Sequence, residues 1–254
     1  MSNVQSVDRS LSILEILANE QRGLSITELS YRLSLAKSTV HRLISTLVQR
    51  GYIVQNSETD KYSLGMKVVA LSNFVLENLD IRNVVRKHIE ALGNKTDEVV
   101  HLCIQERDHV IYIDKVESNH TIRMYSRIGK QALMHCTGVG KVLMSEMDKK
   151  EIDSIIERQG LPSYTESTIT DRDTLLENLK QIRKQGFALD ELEHEEGMRC
   201  VAAPVRDHTG KVIASISIAG PTSRITKERV EKELIPQLLN AAQLCSRDMG
   251  NIQF

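Results

Sequence analysis

The chain is predicted to be α+β, with an N-terminal winged helix-turn-helix and a C-terminal domain built on an antiparallel sheet with flanking helices. Three observations predict this. Ser25 followed by Glu28 is a capping box that opens a short helix, and in the next helix Val40, Leu43, Ile44 and Leu47 recur at i, i+3, i+4 and i+7. Two β-rich runs, Tyr52–Gln55 and Lys61–Leu64, flank the polar turn Asn56–Asp60 and read as a hairpin. Beyond Asp80, β-type runs joined by short turns outnumber the helices that could cross between parallel strands.

In order, residues 5–19 read as a first helix with Val7, Leu11, Leu14 and Ala18 on one face, packed on the helix-turn-helix to complete a three-helix core. Leu29 and Leu33 share a face of the second helix, and Ser34-Leu35-Ala36 is a tight connection. Gly51 caps the third helix. Met66–Leu76 is a helix too apolar to stand alone, so it is expected to connect the domains and to pack on a partner subunit. The expected division is residues 1–64 for the winged helix-turn-helix, 65–79 for the connecting helix and 80–254 for the second domain. In that domain, helices are expected at Ile81–Leu92, Thr137–Met147, Glu151–Gln159, Thr174–Gln185 and Lys227–Met249. Strands are expected at Val99–Gln105, Val110–Val116, Thr121–Arg127, Phe187–Leu192, Arg199–Arg206 and Val212–Ala219.

The net charge of the 254 residues is −1, so the whole chain is no electrostatic binder. The charge is uneven, however. Residues 1–70 hold 8 Lys+Arg against 6 Asp+Glu, and the remainder 25 against 28. From Leu29 to Ser57 there are four cations, Arg32, Lys37, Arg42 and Arg50, and no carboxylate. Early in the third helix, Lys37, Ser38, Thr39, His41 and Arg42 supply the hydroxyls and cations that reach phosphates and base edges in a major groove. The competing reading is a helical pair with a solvated face, docking another protein. No secretory signal and no stretch near 18 apolar residues is seen, and Cys103, Cys136, Cys200 and Cys245 lie far apart. A reducing cytoplasm is expected.

Three stretches of the second domain could carry chemistry. Thr137-Gly138-Val139-Gly140-Lys141 is only superficially a phosphate loop, since the spacing from an earlier glycine is wrong and Val142 replaces the hydroxyl. It reads as a glycine-rich helix start able to hold a carboxylate, or as a plain tight turn. The acidic run around His194, from Asp190 to Glu196, reads as a solvated loop. With Cys200 it would make a cysteine hydrolase, but no nucleophile motif is present. His101, Cys103, His135, Cys136 and His194 are metal-binding types without zinc-site spacing. No catalytic set, metal or cofactor is expected.

Several blocks in order resemble the IclR family of transcriptional regulators along essentially the whole chain. They are Leu24–Leu29 with Lys37–Leu43, then His135–Lys141, Glu195–Val205 and Ser215–Pro221. Within that family, Arg123–Gly129 is most similar to members that regulate 2-keto-3-deoxygluconate catabolism. The resemblance implies a dimer, commonly paired into a tetramer, whose winged helices bind a palindromic DNA operator. It implies a GAF-like C-terminal domain that binds a small organic-acid effector, with Gly138, Val139, Asp190, Cys200 and Ser217 lining the pocket. Ala219 departs from members with a second serine there, which argues against a glyoxylate- or pyruvate-type ligand. Arg123 or Arg127 could meet a sugar-acid carboxylate instead. The expected function is a repressor of sugar-acid catabolic genes, released by its effector. The alternatives are a regulator answering another organic or aromatic acid, a metal- or redox-sensing regulator using Cys103, Cys136 and His135, and an enzyme using Cys200 and His194.

Overall fold

The computed structural model describes residues 4–77, 80–121 and 126–251. The chain forms two compact units, residues 1–78 and 79–254. The first contains α1 (Gln5–Ala18), α2 (Ile26–Leu33), α3 (Lys37–Gln49), β1 (Ile53–Gln55), β2 (Tyr62–Leu64) and α4 (Met66–Glu77). Both halves of the capping box form. The Ser25 amide donates to Glu28 Oε2 at 2.7 Å, and the Glu28 amide donates to Ser25 Oγ at 3.3 Å. Ser34 takes the left-handed conformation that turns α2 into α3 (φ 52°). After α3 the amides of Gly51 and Tyr52 return to the carbonyls of Val48 and Leu47, both at 2.9 Å, with Gly51 at φ 78°. This Schellman pattern satisfies carbonyls that the helix end would leave open.

Leu29, Val40, Leu43, Ile44, Ile53 and Tyr62 fill the core of this unit. The face of α1 turned to it differs from the expected one. Ile13 and Leu17 are buried, whereas Val7 and Leu11 are more than half exposed. Helix α1 carries two apolar stripes, and only one fits over the helix-turn-helix.

The second unit contains α5 (Asp80–Thr96), β3 (Val99–Glu106), β4 (His109–Val116), β5 (Gln131–Leu133), α6 (Gly138–Met144), α7 (Lys149–Gln159), α8 (Arg172–Gln185), β6 (Ala188–Glu191), β7 (Met198–Arg206), β8 (Val212–Pro221), α9 (Lys227–Arg229) and α10 (Ile235–Asp248). Its six strands pair antiparallel in the order β5-β4-β3-β8-β7-β6. Side chains alternate between faces. Val100, Leu102, Val201, Ala203, Ile216 and Ile218 pack with α5 and α10. The opposite face, with Cys103, Tyr112, Ala188 and Ala202, packs with α6 and α8.

One expected strand falls mostly outside the described residues, and one expected helix changes type along its length. Residues 122–125 of the expected strand Thr121–Arg127 lie outside the described residues, and Thr121, Ser126 and Arg127 are not in a strand. The chain turns at Gly129 (φ 83°), whose amide donates to the Tyr112 carbonyl at 2.8 Å, and β5 then pairs with β4 over Gln131–Leu133. The last helix is not uniform either. Val230–Leu234 is π-helical just ahead of Pro236, whose missing N–H leaves the preceding turn free to widen.

Candidate functional site

Two surfaces carry the residues singled out by sequence. In the first unit Lys37, Ser38, His41 and Arg42 are exposed along the start of α3, while Thr39 is half-buried against its neighbours. The hydroxyls of Ser45 and Thr46, one turn on, are turned back onto the carbonyls of His41 and Arg42, at 2.8 and 3.2 Å. The outward chemistry of α3 is therefore concentrated in its first two turns. Tyr31, which the sequence reading passed over, projects from the end of α2 with 87% of its surface exposed. Beside this face an apolar groove of about 810 Å³ runs between α1, α3 and α4, lined by Val7, Leu11, Leu14, Leu47, Val68 and Leu71.

In the second unit, register explains the rest. Ser217 on β8 pairs with His101 on β3 and with Ala202 on β7, and Cys200 pairs with Asp190 on β6 and Ala219 on β8. All these residues sit on the α6 face of the sheet. Gly138 opens α6 directly above them. A Cβ at Gly138 would stand 3.3 Å from Cys200 Sγ and Ala202 Cβ and 3.6 Å from the Asp190 amide. Gly138, Asp190, Cys200 and Ser217 thus surround one spot. The Val139 side chain is packed in the core, so only its backbone faces outward from α6. Thr137 Oγ1 caps the Gly140 amide at 3.2 Å, and the amides of Gly138 and Val139 have no hydrogen-bond partner among the described residues. Arg123 lies outside the described residues. Arg127 is exposed, while its neighbour Ser126 is buried against His101.

His101 is the residue that the sequence reading left aside as an unlikely metal ligand. Its Nε2 lies 2.7 Å from Ser126 Oγ and its Nδ1 3.4 Å from Ser217 Oγ, and its ring meets Tyr112 edge-on at 5.0 Å. The available signal was a polar residue at an inward position of an otherwise apolar strand. Burial, with the Lys115 ammonium adding to it, lowers the His101 pKa to about 3, so the ring is neutral and works as a hydrogen-bonding bridge.

The acidic run is not the solvated loop expected. Asp190 and Glu193 are buried, and only Glu195 and Glu196 stand in solvent. Asp190 Oδ1 accepts from the amides of Glu193 (2.8 Å) and His194 (3.3 Å), while the Thr165 and Thr168 hydroxyls donate to the Leu192 and Glu193 carbonyls. Burial raises the Asp190 carboxyl to about 7 despite these amides. Glu193 forms a buried ion pair with Lys141, so the lysine of the glycine-rich stretch is committed to a carboxylate and not to a phosphate.

Two of the buried thiols are held in the protonated form. Burial, with Asp190 nearby, pushes Cys200 and Cys136 up to about 12. His194 approaches Cys136, at 3.7 Å, rather than Cys200. The Cys200–His194 pair of the enzyme reading is therefore not assembled. Among the described residues no three His, Cys, Asp or Glu side chains gather as a metal site, and no helix is long and apolar enough to cross a membrane.

Comparison with known proteins gives a consistent picture. The profile of the IclR helix-turn-helix domain matches residues 6–57, and that of the bacterial transcriptional regulator IclR C-terminal domain matches residues 73–247. The chain is 40% identical over 248 residues to the HTH-type transcriptional regulator KdgR of Escherichia coli, covering 98% of this chain and 94% of that protein. It is 38% identical over 250 residues to the regulator XynR of the same organism, covering 98% and 99%. Among solved structures, Thermotoga maritima IclR superposes with a TM-score of 0.79 at 29% identity, covering 98% of this chain and all of that one. The C-terminal domain of E. coli KdgR superposes with a TM-score of 0.61 at 37% identity, covering 68% and 99%.

Proposed function

The chain belongs to the IclR family of transcriptional regulators, and from that premise we propose that it is a cytoplasmic repressor of sugar-acid catabolic genes, released from its operator by a 2-keto-3-deoxygluconate-type effector. The two relatives compared above are transcriptional regulators. The observation that carries the effector reading is the convergence of Gly138, Asp190, Cys200 and Ser217 on one buried spot beneath two open amides. The Gly138 and Val139 amides suit a carboxylate, and Ser217 donates to it or to the keto oxygen. Asp190 and the His101–Ser126 pair are suited to the ligand's hydroxyls. Arg123 is assigned to the effector on resemblance alone.

Lys37, Ser38, Thr39, His41 and Arg42 are the proposed DNA contacts. The second apolar stripe of α1, together with exposed Val69 and Leu71 on α4, supports a dimer in which paired first units present two recognition helices to a palindromic operator. Effector and operator prefer different arrangements of the dimer, so each weakens the other's binding by the same factor. Calorimetry with 2-keto-3-deoxygluconate, pyruvate and an aromatic acid tests the effector, and operator titration with and without the ligand tests the coupling. Binding of the aromatic acid alone, or a Ser217→Ala protein that binds as wild type where a loss of about 1 kcal/mol is due, overturns the pocket. Unchanged operator affinity in both Lys37→Ala and Arg42→Ala overturns the DNA face.

A further inference from the structure

A second cavity, of about 430 Å³, wraps the open edge of β6 between α8 on one side and the α9–α10 segment on the other. It is built differently from the effector spot. The buried pair Lys141–Glu193 and the pair Arg199–Glu191 reach it from the sheet side, with Arg199 Nε donating to Glu191 Oε2 at 2.8 Å. Lys227 and Glu231 add one charge of each sign. The lining is therefore charge-balanced and draws in neither anion nor cation. Two acceptors are nonetheless left open. Glu193 Oε2, on a side chain with only 8% of its surface exposed, and Asn178 Oδ1 are buried without a hydrogen-bond partner. Buried acceptors of this kind are costly unless a donor reaches them. The remaining wall is apolar, with Ile182, Phe187, Leu189 and Ile235.

We propose that this edge cavity is a second small-molecule site, for an uncharged polyhydroxylated ligand, a sugar or polyol. Hydroxyls supply donors to Glu193 and Asn178 without adding net charge to a balanced lining. The C–H face of such a ligand fits the Phe187 and Ile182 wall, as carbohydrate faces stack on apolar and aromatic side chains. The site is wired to the effector spot, because the Glu193 backbone amide holds Asp190 Oδ1 at 2.8 Å. A ligand that draws on Glu193 acts on the loop that carries Asp190, and the two occupancies are coupled.

The test uses the full chain with labelled isoleucine and valine methyls, titrated separately with D-glucose, D-xylose and D-mannitol, with sodium acetate as a charged control. Saturable shifts at Ile182 and Ile235 with at least one of the three, and none there with acetate, are expected. Asn178→Ala should weaken that binding about fivefold, the scale of one lost hydrogen bond. Gln181→Ala, at an exposed position of the lining, serves if the first variant does not fold, with a smaller loss expected. Three outcomes overturn the proposal: no saturable shift with any of the three, shifts confined to Val139 (which put the probe in the effector spot), or affinity unchanged in a folded variant. Because the readout is at Ile182 and Ile235, a failure here leaves the effector reading standing, and a failure of that reading shows separately at Val139.

Discussion

Asp190, in the proposed effector spot, is expected to make effector binding depend on pH, with a sign fixed by its surroundings. Its carboxyl titrates at about 7 because burial outweighs the two backbone amides on Oδ1. An organic-acid effector brings a negative charge to the same spot, so it binds the protonated form in preference and takes up a proton where Asp190 was ionised. From about pH 6 to about pH 8 the protonated fraction of the empty site falls roughly tenfold, and affinity should fall by about the same factor, about 1.4 kcal/mol. The neighbouring histidine His101 and the thiols do not supply this slope. His101 is neutral throughout and the thiols stay protonated. Glu193 is also raised by burial, so the Asp190→Asn variant is needed to isolate one carboxyl. Calorimetry of 2-keto-3-deoxygluconate in two buffers of different ionisation heat reads both affinity and proton uptake. Asp190→Asn should bind with little pH dependence and no linked proton. The same shift sets stability without ligand. A carboxyl raised from 3.8 to about 7 stabilises the fold fully below its unfolded value, and that contribution is lost as pH rises through the folded one. The loss is on the order of 4 kcal/mol and is absent in the Asn variant. Affinity that rises with pH, or an Asp190→Asn protein with the wild-type slope, refutes the reasoning.

Three further outcomes follow from geometry. Gly140→Ala places a Cβ 2.4 Å from the Met134 Cα and carbonyl oxygen, so α6 must shift, and urea unfolding should show a loss of roughly 2–3 kcal/mol. Ser25→Ala removes the capping box of α2 and should cost about 1 kcal/mol, lowering the melting temperature and loosening operator binding through the helix it supports. Leu11→Asp puts a charge on the outer stripe of α1, and sedimentation should show a weaker dimer with the far-ultraviolet circular dichroism unchanged.

Much of this fold is legible in the sequence because its elements are locally encoded. Ser25 and Glu28 mark the start of α2, Gly51 the end of α3, and runs of β-type residues mark β3, β7 and β8. What is not legible depends on partners far along the chain. Strand β5 is three residues long, too short for a period to show, and is defined only by pairing with β4. The inner face of α1 could not be chosen from its own sequence, because Val7, Leu11 and Leu14 are as apolar as Ile13 and Leu17, and only packing against α3 decides. At the proposed effector spot Gly138, Asp190, Cys200 and Ser217 are assigned by resemblance; the register of β6, β7 and β8 accounts for the meeting of the last three, and α6 brings Gly138 over them. His101 and Ser126 were missed because a neutral bridging histidine has no local signature. The run Asp190–Glu196 misled for the opposite reason. Its composition is that of a solvated loop, but Lys141, 52 residues earlier, neutralises Glu193 in the interior.

These neighbours together fix what the effector spot can discriminate. At pH near 7 it holds a neutral histidine, protonated thiols and a carboxyl close to its midpoint. Its nearest described cations are already engaged, Lys141 with Glu193 and Lys115 with Glu117. Among the described residues, a carboxylate bound in the proposed spot is therefore met by amide and hydroxyl dipoles and by a proton on Asp190, not by a preformed ion pair. Dipoles hold an anion less tightly than a buried guanidinium does, and they are strongly directional. Such a site separates acids by the placement of their hydroxyls more than by their charge. It also releases them as their concentration falls, which a reversible repressor requires.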